Sequence, residues 1–449
     1  MTTARAGEAA EAGDARAAGG DALWGPERPL YLWFLLATLV LNVVSGDGSD
    51  ALGLPLSPDR LTLAAALVLL LLDPWAWRRT RLRLRGVHVA MAALTVLAGW
   101  SALSAETLLT TFGLFSLADR LVVPFLLLTV APVVFCTPAR RDLLLKTLTL
   151  LGLYLGVTAV LEQVAPSAVR PAYIADPALG NQQGRSRGPF LASEALGLVL
   201  VQCGFAAALL AARARRAWRV VGALTAFLAV VGVLLTLTRS VWLGLLVGVV
   251  VVCLQQRRLR RLLPVVMVGG AAVVLALLLA VPALQQAADE RLTTTRSLDD
   301  RRNVNEAALR VVAEHPLTGV GWVRFIDNSE EYVRQADTYP ITNVRIEVHN
   351  VPLGRAAELG LPGGLLWVVC VALGPLCAVV LRVPRQSADD LAGWRLVLTG
   401  GAAAWGVAVL VSPVPYPLPN YLVFLLAGIV LAPVLTRSGG PALDGGRRR

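Results

Sequence analysis

The chain has 449 residues, 56% of them hydrophobic and only 16% charged, and its mean hydropathy is +0.65. Water-soluble domains carry nearer a quarter charged residues, so that class is excluded. The net charge of +11 and pI near 10.2 would suit nucleic acid, but the arginines stand in short blocks between apolar runs. That is the pattern of a polytopic membrane protein, and no nucleic-acid partner is expected.

In chain order, residues 1–28 are rich in Ala, Gly, Glu and Arg, lack an apolar core, and read as a disordered cytoplasmic tail rather than a cleavable signal. Apolar runs long enough to cross a bilayer follow near 29–45, 57–74, 86–103, 121–136, 143–164, 190–212, 218–236, 240–254 and 262–283. A polar stretch then leads to three more, near 356–381, 395–412 and 418–436. The predicted fold is all-α: a transmembrane helix bundle of about twelve spans. Residues 29–283 hold spans one to nine, 284–355 one large extracytoplasmic loop, 356–436 the last three spans, and 437–449 a basic cytoplasmic tail.

Orientation follows from the arginine blocks. Alternate connections carry Arg78 to Arg85, Arg140 and Arg141, Arg213 to Arg219, Arg257 to Arg261, and Arg382 with Arg385. The positive-inside rule makes these cytoplasmic, which predicts both termini inside and the long polar loop outside. Within that loop, Ser297-Leu298-Asp299-Asp300 caps a predicted helix over 299–314. Its apolar stripe is Val304, Ala307, Ala308, Val311 and Val312, and Pro316 ends it. A second short helix is predicted near 328–336. All five cysteines lie in apolar stretches without metal-ligand spacing, so they read as packing residues.

The outer side holds arginines that break the charge rule. Arg239 sits in the very short connection Thr236-Leu237-Thr238-Arg239-Ser240, and Arg185 and Arg187 lie just before a span. Ionised side chains at membrane depth are costly and mark function, and guanidinium forks fit phosphate oxygens. The alternative for each is a side chain snorkelling to lipid phosphates. His349, where the loop re-enters the membrane, is the natural general base, since imidazole titrates near neutral pH. The rival is a structural histidine at a loop–helix junction. His315 reads as a brace at a helix end, and His88 as structural. Asp47 and Asp50 in the first outer connection read as an ordinary turn rather than a metal site.

Four stretches together resemble a known family. They are Arg187-Gly188-Pro189-Phe190; Thr238-Arg239-Ser240-Val241-Trp242-Leu243-Gly244; Glu314-His315-Pro316-Leu317-Thr318-Gly319-Val320-Gly321; and His349-Asn350 followed by Glu358-Leu359-Gly360-Leu361-Pro362-Gly363. In order and placement they resemble the O-antigen ligase and polymerase family of bacterial membrane glycan-assembly proteins, over about 150–380. The resemblance implies a glycosyltransferase of the bacterial cytoplasmic membrane, active on its outer face. It implies an undecaprenyl-diphosphate-linked glycan as donor and a glycan or glycolipid hydroxyl as acceptor. His349 takes the catalytic position, and Arg187 and Arg239, with Arg185 beside them, the diphosphate positions. His315, Asn350 and Glu358 are candidate supporting residues. No cofactor or metal is called for, and the transfer is expected to invert the anomeric carbon. One departure stands out: where the family often has Pro-Asn, this chain has Ala192-Ser193-Glu194, which bears on donor sugar preference. A polymerase using the same donor is the nearer alternative. A lipid-linked oligosaccharide flippase is the more distant one, and it should show half-repeats that are not seen here.

Overall fold

A computed structural model describes residues 28–54, 56–180, 184–280, 296–334, 345–381 and 388–438. The predicted N-terminal tail (except Arg28), most of the C-terminal tail, Arg382 and Arg385, and two parts of the outer loop lie outside the described residues.

Every predicted span is a helix. They are α1 (Leu30–Leu41, extended by a 3-10 turn to Val44), α2 (Pro58–Leu71), α3 (Gly86–Ser104), α4 (Thr111–Val134), α5 (Pro138–Val164), α6 (Ser193–Arg213), α7 (Arg216–Leu235), α8 (Arg239–Gln255) and α9 (Arg257–Ala280). The long polar loop forms α10 (Arg296–Glu314) and α11 (Phe325–Tyr332), and the chain closes with α12 (Val351–Val380), α13 (Ala388–Val411) and α14 (Pro417–Leu435). Local chemistry sets the starts: Thr137 and Asn350 cap α5 and α12 with their side chains, and prolines open α2, α5 and α14 where no amide donor is needed. Among the described residues, 8 helices are long and apolar enough to cross a membrane, while Leu30–Val44 and α8 are apolar but shorter.

The bundle is organised around α14, buried over 83% of its length window and packed on α4 and α13. Further pairs are α6 with α7 and α5, and α8 with α13. Without a hydrophobic drive between lipid-exposed helices, close approach depends on small residues. A Cβ added at Gly244 or Gly248 of α8 would meet the backbone of Ala404 or Gly400 on α13, and one at Gly222 of α7 would meet Ala207 and Ala211 of α6.

Contacts sort the connections into two ends. At one, Arg141 and Arg213 share Asp390, and β1 (Thr80–Leu82) pairs antiparallel with β2 (Thr436–Ser438). At the other, Arg120 of α4 pairs with Glu347, and Glu194 of α6 joins Ser240 and Ser412. The helices of the long loop lie on this second end. Val304, Ala307, Ala308 and Val311 of α10 are fully buried in a small core with Phe325, Val348 and Ala357, and Val312 packs on it. That stripe is the one the 3.6-residue period predicts.

Candidate functional site

The site lies where α10 and the His349 segment meet the bundle. Two of the recognised sequence stretches form its frame. Gly360 (φ +73°, ψ 175°) breaks α12 after Leu359, which frees backbone groups for an outside partner. The turn after α10 supplies it: Val320 N–H donates to the Ala357 carbonyl (3.0 Å), Gly321 N–H to that of Glu358 (3.0 Å), and Leu361 N–H to that of Pro316 (2.8 Å). The approach is so close that a Cβ on Gly319 would sit 2.4 Å from the Glu358 carbonyl carbon, and one on Gly360 2.4 Å from that of Leu317. His-Pro-Leu-Thr-Gly-Val-Gly and Glu-Leu-Gly-Leu-Pro-Gly are thus two halves of one joint. Trp322, fully buried next to it, donates its ring N–H to the Gly113 carbonyl (3.2 Å) and locks the loop to α4.

This joint holds the segment 347–350. Glu347 pairs with Arg120 (2.6 Å), Val348 enters the small core, and Asn350 caps α12 through Leu353 N–H (2.9 Å) while donating to the Leu410 carbonyl (3.2 Å). Arg355 pairs with Glu358 (2.5 Å) and stacks over Trp322. Arg120, Glu347, Arg355 and Glu358 balance in charge, so they fasten the frame and leave no surplus for an anion. His349 stands between two tethered neighbours, which fix its backbone.

Burial, and then the Arg301 guanidinium, push the His349 imidazole down to about 4, against the smaller opposing effects of Glu347 and Asp300. It is therefore neutral at physiological pH. Its Nδ1 is buried and, among the described residues, meets no hydrogen-bond partner. A neutral ring with an unpaired nitrogen can accept a proton from a hydroxyl delivered to it.

One arginine, Arg301, reaches this position and links it to two others. Arg185, Arg239 and Arg301 lie within electrostatic reach of one another, and Arg301 also reaches His349 and Glu194. Burial and mutual repulsion lower both Arg185 and Arg301, with Glu194 partly offsetting this at Arg301. Arg239 opens α8, whose first turn contains no acidic residue. A cation at the positive end of a helix is unfavourable by itself; the arrangement suits an anion.

Arg301 was not among the sequence candidates, although a signal existed. It continues the buried stripe of α10 at spacing three and four (301, 304, 308, 311), so it had to face the bundle. Arg187 differs from expectation in the other direction. It is buried (6% exposed), and its guanidinium donates to the backbone carbonyls of Leu179, Ile174 and Asp176. Its backbone N–H and that of Gly188 donate to Glu162 (2.9 and 2.8 Å). Arg187 thereby shapes the connection that presents Arg185, and both line one cavity with Glu162 and Gln163. His315 is exposed and meets the Tyr332 hydroxyl at 3.2 Å, as a brace between α10 and α11 would. Asp50 is exposed on the short helix Asp47–Ala51, and the Asp47 side chain lies outside the described residues.

A bundle of apolar helices, with a docked loop that brings cations and one neutral histidine to one end, is that of a multi-pass membrane protein. Residues 224–368, about a third of the chain, match the family described as O-antigen ligase, and over that region the chain is similar to it. The matched region runs from α7 to α12 and contains Arg239, Arg301 and His349. The match suggests a membrane glycosyltransferase of the O-antigen ligase and polymerase type. No curated protein matches the chain.

Proposed function

We propose that this protein transfers a preassembled glycan from undecaprenyl diphosphate to a hydroxyl of a glycan or glycolipid, outside the membrane, with inversion and without a metal. The observation that carries the reading is the mutual proximity of Arg185, Arg239 and Arg301, with Arg301 also reaching His349. Lipid anchoring puts a donor diphosphate at the depth where these groups sit. Its negative charge offsets a repulsion that the empty cluster must otherwise bear.

In the transfer, the acceptor oxygen attacks the anomeric carbon from the face opposite the diphosphate. The bond from that carbon to the phosphate oxygen breaks, and its electron pair goes to the leaving diphosphate. The hydroxyl proton passes to His349. Guanidiniums take the growing charge on the leaving group, the task a divalent cation performs elsewhere. Bound donor also offsets Arg301, which raises the basicity of His349 when the proton must be taken. A polymerase would use the same donor site and differ only in having a lipid-linked acceptor.

The coupling of Arg301 to His349 gives a test with a definite sign. His349 works as the neutral base, so kcat/KM falls as pH drops through its free-enzyme pKa, near 4 in the native protein. Arg301→Gln removes a positive charge that lowers this pKa, so the acidic limb should move to higher pH, toward the ordinary value of about 6.5. The measurement is the pH profile of kcat/KM for a synthetic undecaprenyl-diphosphate glycan. Superimposable acidic limbs would remove Arg301 from the environment of the base.

A further inference from the structure

Glu194 is the one acidic side chain of α6's first turn, and it faces the arginine cluster at the position where the chain departs from the family pattern. Both of its oxygens are held. Oε1 accepts from the Ser240 hydroxyl (3.1 Å), the residue directly after Arg239, and Oε2 from the Ser412 hydroxyl (2.6 Å), directly after α13. Three separate elements thus fix one carboxylate at a defined point, and Arg301 of the loop helix comes within its field. An acidic group placed against cations that are meant to bind a diphosphate weakens that binding. A purely structural contact would not need the charge, since a neutral amide can hold two serines as well.

The reaction gives a reason for it. The donor is a diphosphate diester; once the glycan has left, the product is a monoester with one more ionisable oxygen. The product is therefore the better ligand for three guanidiniums, and a site tuned only to attract anions would retain it. We propose that Glu194 is an internal counter-anion of the arginine cluster, which competes with the lipid diphosphate for Arg301 and so limits retention of the product. This is a positioning and release function, and it rests on the donor-site reading above. With the site empty, Glu194 partly neutralises the cluster. With the diphosphate bound, Arg301 turns its charge to the phosphates. On product departure the carboxylate recovers its partner.

Charge removal without loss of shape tests this. In Glu194→Gln the amide still hydrogen-bonds both serines, while one negative charge disappears. Undecaprenyl diphosphate should bind the purified protein in detergent about threefold to tenfold more tightly, the size expected of one partly screened charge a few ångströms away. Product inhibition should strengthen by a similar factor. Ser412→Ala removes one hydrogen bond and keeps the charge, so it should not tighten binding; tightening equal to that of Glu194→Gln would show a shape effect and overturn the proposal. Arg239→Ala serves as the reference. If Arg239→Ala weakens binding but Glu194→Gln leaves it unchanged or weaker, the counter-anion is refuted and the donor site stands. If Arg239→Ala has no effect, the donor site itself is misplaced, and the counter-anion goes with it.

Discussion

Replacing His349 by alanine is expected to reduce transfer about 10²–10⁴-fold, the usual cost of losing a positioned base, while donor binding stays within a few-fold of the native value. The separation of the two effects follows from the geometry. His349 is the neutral member of the site and, in the proposed reaction, takes the acceptor proton, while the arginines hold the diphosphate. Its neighbours Glu347 and Asn350 are tied to α4 and α13, so removal of the ring leaves the frame in place. Turnover can be followed with a synthetic undecaprenyl-diphosphate glycan, and binding with undecaprenyl diphosphate alone. Near-native turnover by correctly inserted His349→Ala protein would return the residue to a structural role.

Arg239→Lys should cost about 10²-fold or more in kcat/KM although the charge is kept. The residue opens α8 after a connection that contains the left-handed Leu237 (φ +50°), so its side chain leaves the backbone in a fixed direction. A guanidinium there presents two parallel N–H groups to two phosphate oxygens, whereas an ammonium offers one point charge. Arg187→Lys should act differently, because Arg187 satisfies three backbone carbonyls. Its loss is expected in protein stability and yield before it is seen in affinity. Comparing KM and thermal unfolding for the two variants separates these roles. Equal loss of donor affinity in both, with unchanged stability, would restore Arg187 to the diphosphate.

Much of the fold was legible because its causes are local. Hydrophobic run length located the apolar helices, and the period of Val304, Ala307, Ala308 and Val311 located the loop helix and its buried face. The count of crossing helices was less so. The apolar run of α8 ends after 17 residues, and α2 begins with Asp59 and Arg60 in its first turn, so length and composition alone do not make either a full span.

The site was legible in part. Arg185 and Arg239 were chosen for their charge and depth, and they lie within electrostatic reach of each other and of Arg301, which in turn reaches His349. Arg301 was not chosen, since its significance depends on which side of α10 docks on the bundle, a tertiary fact. Arg185 and Arg187 show the same limit at shorter range: they are two residues apart in one motif, yet one joins the cluster and the other folds onto its own loop. The Gly319–Gly360 joint was visible as two glycine-rich stretches, but nothing in either names its partner about 40 residues away.

The central claim, that three arginines and no metal hold the lipid diphosphate, is tested most directly by equilibrium binding of undecaprenyl diphosphate to the purified protein in excess EDTA. The account predicts saturable binding by the native protein that weakens by at least about 10²-fold in Arg239→Ala/Arg301→Ala, since both lost groups make charge-assisted bonds to phosphate. Binding that vanishes in EDTA, returns with a divalent cation and survives in the double variant would contradict it.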